Sequence, residues 1–252
     1  ADPVLDSVGV VGLALKLGRA ATRDSAGDET ARGVFALARE LQVGRGQAGP
    51  AEVLYREALR RDPRHVGALC NYGVLLLQRS DADAPAADQH RQKQVHSEEA
   101  KAQHTEAKRW GGLAELLLRK ALESDPRCVS ALHHLGVAAE TRGDPSAAKE
   151  HLKQALAADP ECLHAVLALA RVTAAHNASS DSIDAAQALY ERAEKLAPDD
   201  ADTLASFAVF LKTSRRDKPR QEELLGWVTN LDPGGAHARG LRAVLSRPDW
   251  NT

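Results

Sequence analysis

Five prolines punctuate this chain at near-regular intervals, and that rhythm restricts the available folds more than any other feature. Asp62-Pro63, Asp125-Pro126, Asp159-Pro160, Ala197-Pro198 and Asp232-Pro233 each close an amphipathic segment. Pro126 and Pro160 stand 34 residues apart; the next intervals are 38 and 35, and the first, 63, requires a long insertion. Periods of this size mark one supersecondary unit repeated, each copy burying its apolar face against its neighbours.

Small and large residues recur upstream of each proline: Ala51, Tyr55, Ala58; Ala114, Leu118, Ala121; Ala148, Leu152, Ala155; and Ala186, Tyr190, Ala193. The last copy is degraded, with Gln221, Leu225 and Val228. Offsets of four and three place each set on one helical face. A first helix precedes each, patterned Val34, Leu37-Ala38, Leu41; Leu69, Tyr72-Gly73, Leu76; Leu132, Leu135-Gly136, Ala139; Val166, Leu169-Ala170, Thr173; and Leu204, Phe207-Ala208, Leu211.

In this order of apolar residue, Leu-Gly, Tyr, Ala and closing Pro the chain resembles the tetratricopeptide-repeat family across residues 31 to 235. The unit Val129 to Pro160, with Gly143-Asp144 at its turn, is nearly consensus. The resemblance implies an all-α, right-handed α-solenoid of five helix hairpins that binds a partner protein or peptide. Composition agrees with helices: aromatic residues make up 4% and charged residues 27% of 252 residues, and no β-branched runs accumulate. A hydrophobic content of 43% suffices for a core.

The expected organisation is an N-terminal capping helix and linker over 1–30, the solenoid over 31–235, and a C-terminal capping helix and tail over 236–252. Val4, Val8, Val11 and Leu15 fall at helical spacing within the first, and Leu241, Val244 and Leu245 within the last. Residues 79–110 form a polar insertion in the second hairpin, expected to deliver little core. Ser80 to Ala84 reads as loop, Asp83 and Pro85 as N-cap and first helical residue of a solvent-bridging or marginal helix over Ala86 to Arg109 that extends the helix Leu113 to Glu123 backward, with Gly111-Gly112 as the hinge between them.

No chemistry-bearing motif emerges, so the chain is expected not to be an enzyme and to hold no cofactor. Gly44 to Gly49 lacks the Lys-Ser/Thr ending of a phosphate loop. His133 and His134 are adjacent and cannot ligate one ion as an i, i+4 pair does, while His90, His96 and His104 lack companion ligands. Cys70, Cys128 and Cys162 are odd in number, widely separated and each expected among apolar residues on a buried helix, so neither disulfides nor a zinc knuckle is expected. A net charge of −2 gives no global field for nucleic acid. No apolar run reaches bilayer length, and a soluble, intracellular protein is expected, with an organelle open if a targeting segment precedes Ala1. The sequon at Asn177 matters only in a secretory lumen.

The resemblance also places the first helices along a concave binding face. Mapped onto this sequence, the facing positions are Arg32, Phe35, Arg39 and Gln42; Cys70, Asn71, Val74 and Gln78; Ser130, His133, His134 and Val137; His164, Leu167 and Arg171; and Asp202, Val209 and Lys212. The bland reading makes these solvated side chains, some paired with Glu40, Glu140 or Asp202. Chaperone-binding relatives clamp a terminal carboxylate with lysines, asparagines and an arginine. Here only Asn71 matches, with Phe35, Arg39, Ser130 and His134 at the other places, so that clamp is absent. The implied function is a scaffold or adaptor subunit of a larger complex for a partner of acidic character; the alternative is a non-catalytic repeat domain of a larger enzyme or transferase.

Overall fold

The computed structural model of the protein describes residues 27–92, 98–175, 179–215, 217–231 and 239–242, with side chains at all of these except 27–29, 82–104 and 215. Among the described residues ten helices pair into five hairpins. They are α1 (Gly27–Arg39) with α2 (Ala48–Arg61), α3 (Val66–Gln92) with α4 (Glu98–Ser124), α5 (Val129–Thr141) with α6 (Pro145–Ala158), α7 (Leu163–Ala175) with α8 (Ser180–Leu196), and α9 (Ala201–Phe210) with α10 (Lys218–Leu231). Wider π turns, Glu40–Gly44 and Leu211–Arg215, extend α1 and α9. No strand occurs among the described residues. The fold is all-α, of the solenoid-repeat class.

The prolines sit where they do because of the turn built around the preceding aspartate. The Asp62 amide donates to Ala58 O at 2.9 Å, closing α2; its Oδ1 accepts from the Arg64 amide at 3.0 Å, and its carbonyl accepts from the His65 amide at 3.2 Å. The same three bonds form at Asp125, at 2.8, 3.0 and 3.1 Å, and at Asp159, at 2.9, 3.0 and 3.3 Å. Proline fits next because it has no N–H to lose and cannot continue the helix. Ala197 has no carboxylate and keeps only the two backbone bonds, at 3.0 and 3.3 Å. Three residues on, the chain starts the next first helix: His65 Nδ1 accepts from the Ala68 amide at 3.1 Å and Asp200 Oδ2 from the Thr203 amide at 2.8 Å. Within the third hairpin, Gly143 turns the chain at φ 78°, a left-handed conformation that side chains disfavour, and Asp144 caps α6 by accepting from the Ala147 amide at 3.0 Å.

The chain divides into two compact units, Ala1–Ala138 and Ala139–Thr252. In the first, Val34 and Ala38 of α1 and Leu41 of its π turn pack with Ala51, Leu54, Tyr55 and Ala58 of α2 and Tyr72, Leu75 and Leu76 of α3. Gly73 is where α3 and α4 touch: a Cβ there would lie 3.0 Å from Leu118 Cγ and 3.3 Å from Ala114 O. In the second, Tyr190 of α8 stacks on Phe207 of α9, planes 3° apart and centroids at 5.5 Å, beside Ala170, Ala186, Leu204, Leu224 and Val228. In α10 it is Leu224, fully buried, that fills the core beside Gln221 and Val228, while Leu225 is half-buried.

The insertion extends α4 backward as expected, but its breaks differ from the reading. Residues 80–84 are helical: α3 runs unbroken through Asp83 and Pro85 to Gln92, and α4 runs unbroken through Gly111-Gly112. The expected loop, N-cap and hinge are therefore replaced by a hairpin with both helices lengthened to 27 residues. Its base is also packed. Ala107 is buried, Ser80 Oγ donates to Ala107 O at 2.9 Å, the Arg79 guanidinium lies 4.4 Å above the Trp110 ring, and Trp110 joins the core of the first unit. The continuous backbone explains the correction: Gly111 needs only to leave room for Ser80 Oγ, 3.4 Å from where its Cβ would be. The first hairpin begins at Gly27, four residues earlier than read. The expected capping helix near residues 4–15, the sequon at Asn177, and Val244 and Leu245 lie outside the described residues. Leu241, though, is buried in the core of the second unit.

Candidate peptide-binding cleft

Apolar first-helix residues and the short side chains between them leave an open cleft of ≈ 680 Å³ on the second unit. Its floor is Ala174 of α7, Tyr190 of α8, Ala205, Val209 and Phe210 of α9, and Leu241; its polar edge carries Arg171, Asp202, Ser206, Thr213 and Ser214. Three positions mapped from the sequence, Arg171, Asp202 and Val209, meet here. Arg171 is held in place: its Nε and Nη2 donate to the two carboxylate oxygens of Glu140 at 2.8 and 2.6 Å, a bidentate pair that raises its pKa. Burial is the largest influence on the Tyr190 phenol and pushes it up, opposed by the Arg171 charge. Lys212 is half-buried just beyond, and His164 is exposed on α7.

The first unit gathers a polar cluster from its mapped positions. Tyr55 Oη donates to Gln42 Oε1 at 2.6 Å, and Gln42 Nε2 donates to Gln78 Oε1 at 3.4 Å. Burial pushes the Tyr55 phenol up to about 12 despite the hydrogen bond with Asn71 and the charge of Arg39 nearby. Phe35 is half-buried and inserts toward the start of α3, 4.8 Å from the His65 ring and 6.3 Å from Tyr55. Gly67 makes room for it, since a Cβ there would lie 2.9 Å from Phe35 Cζ. Arg32 and Arg39 are exposed, while Asn71, Val74 and Val137 are half-buried. His133 and His134 are half-buried with rings edge to face at 4.7 Å.

Cys70 is a correction. It is 3% exposed, so it does not face a groove; its Sγ instead lies 3.2 Å from Cys128 Sγ. Sequence spacing carries no sign of that meeting, because the lengthened hairpin separates the two by 58 residues. Tyr190, Ala205, Ser206 and Leu241 are cleft residues the groove mapping also missed. Tyr190 belongs to a second helix and Leu241 to the terminal segment, both of which that mapping left out. No group of three His, Cys, Asp or Glu able to hold a metal ion occurs among the described residues. Among them, no helix is long and apolar enough to cross a membrane.

Residues 135–201, which take in most of the third and fourth hairpins, match the sequence profile of the family described as Tetratricopeptide repeat. The fold is similar to that of Pseudomonas aeruginosa pilF, with TM-score 0.62, 18% identity, and 88% of this chain and 86% of that one covered. It is also similar to YrrB, a TPR protein with an unusual peptide-binding site, at TM-score 0.54 and 15% identity over 90% of this chain and 97% of that one. A thermophilic TPR protein in Thermus thermophilus aligns at TM-score 0.55 and 24% identity over 82% of this chain and 94% of that one. At these identities the likeness is one of fold. No curated protein matches the sequence.

Proposed function

We propose that this repeat scaffold is non-catalytic and holds a peptide or helix of a partner protein in the cleft of the second unit. One observation carries the reading: the cleft combines an apolar floor, Ala174, Ala205, Val209 and Phe210, with a polar edge whose Arg171 is fixed by Glu140. Concave apolar sites with a few placed polar groups are where ligands bind, and a side chain already held in place costs little entropy on binding. The peptide-binding site of YrrB, a protein of the same fold, lends support. A role as subunit or assembly factor of a larger complex follows from such binding.

The test is co-purification from the native source followed by mass spectrometry, with wild type and Ala205→Trp as baits. A specific partner held by wild type and lost with Ala205→Trp supports the reading. A partner held equally by both moves the site elsewhere.

A further inference from the structure

Cys70 lies on the first turns of α3 and Cys128 immediately precedes α5, so the two sulfurs join successive first helices of the first unit, at 3.2 Å. We propose that Cys70 and Cys128 are a reversible dithiol–disulfide site, oxidised by exchange with a low-molecular-weight disulfide of the glutathione type.

The geometry distinguishes the two sulfurs. A disulfide bond is about 2.05 Å long, so the sulfurs need to close by about 1.1 Å. Cys128 is half-buried and stands at the N-cap of α5, where its sulfur meets the amides of Ser130 and Ala131. Backbone donors at a helix N-terminus favour an anion, and a thiolate is the attacking species. The hydrogen bond with Cys70 is the largest influence lowering the Cys128 thiol; those amides help, and burial with the Asp125 carboxylate opposes. The same bond, then burial, holds Cys70 protonated. Cys128 is therefore the sulfur that attacks, and Cys70, 3% exposed, is the one that resolves.

In the first step the Cys128 thiolate attacks one sulfur of the small disulfide. The S–S bond breaks, a mixed disulfide forms on Cys128, and the departing thiolate takes a proton from water. In the second step the Cys70 thiol loses its proton to water and its sulfur attacks Cys128 Sγ, expelling the second small thiol. Two protein S–H groups are oxidised and one small disulfide becomes two thiols; excess small thiol runs the sequence backwards. Closure ties the turn of α3 carrying Asn71 to the start of α5 carrying Ser130, so oxidation state fixes the spacing of two mapped first helices.

The experiment uses the full chain with Cys162→Ser, leaving the two thiols in question, titrated in glutathione buffers from fully reduced to fully oxidised. The expected product has lost two hydrogens in mass and both titratable thiols, carries no glutathione, melts several degrees higher because a long loop is closed, and reverts with excess reduced glutathione. Peptide mapping of wild type under the same oxidation should recover the Cys70 and Cys128 peptides joined. Adding Cys70→Ala should trap glutathione on Cys128. Two thiols surviving in oxidised glutathione alone, or a stable glutathione adduct on Cys128 with Cys70 still free, overturns the proposal.

Discussion

Arg171 of α7 grips Glu140 of α5 through two hydrogen bonds of 2.8 and 2.6 Å, so the arginine at the edge of the cleft is already committed to a carboxylate one repeat away. Its side chain is 57% exposed and that of Glu140 only 18%, which limits the pair to about 1 kcal/mol or less. Arg171→Glu replaces the attraction with repulsion against a half-buried carboxylate. The melting temperature should fall by about 2 to 4 °C, as about 1 kcal/mol does for a chain of this size, and Glu140→Arg combined with Arg171→Glu should restore most of it. An unchanged melting temperature for Arg171→Glu would show that the pair contributes nothing in solution. Binding effects at Arg171 therefore need the double variant as control.

Gly73→Val tests a close approach between α3 and α4. A helix-interior glycine costs up to about 1 kcal/mol relative to alanine, so substitution starts with a gain. Here the new Cβ would press on Leu118 Cγ at 3.0 Å and on the Ala114 carbonyl at 3.3 Å, and a backbone carbonyl in a helix cannot give way. Valine should therefore destabilise by about 1 to 3 kcal/mol by thermal denaturation. At Gly49, where nothing lies within 4 Å, the same experiment with alanine should stabilise. Equal effects at both positions would contradict the packing described.

The three tyrosines give a titration signature. Burial pushes Tyr55 up to about 12 and also raises Tyr72 and Tyr190. Unfolded phenols ionise near 10. A group whose folded pKa is raised supports the fold fully below its unfolded pKa and loses that support as pH climbs toward the folded value. Phenolate absorbance of the native protein should thus appear at higher pH than in denaturant, and stability should fall from about pH 10 upward. Coincident native and denatured titrations would place the phenols in water.

Much of the fold is legible in the sequence because the signals are local. Asp-Pro at 125 and 159 forms the same three hydrogen bonds each time, and Gly143 demands its turn, so the hairpins can be counted before any contact is known. The insertion misleads for the same reason. Pro85 and Gly111-Gly112 read as breaks, yet Trp110 and Ala107 anchor the base of the long hairpin through contacts that no local pattern announces. Site residues fare less evenly. Arg171, Asp202 and Val209 do share a cleft, whereas Cys70 turns inward to Cys128 across 58 residues. Helical spacing gives the face a residue takes, and not which distant side chain meets it there.

Calorimetric titration of the isolated partner's binding segment into wild type and Ala205→Trp tests the central claim most directly. Ala205 lines the cleft and is half-buried, so an indole there fills space without displacing core. The affinity should fall by at least about tenfold, equivalent to about 1.4 kcal/mol, with the melting temperature unchanged. Ser206→Tyr, at an exposed position of the same edge, should weaken binding in the same sense. Full affinity in both variants would contradict binding in the cleft.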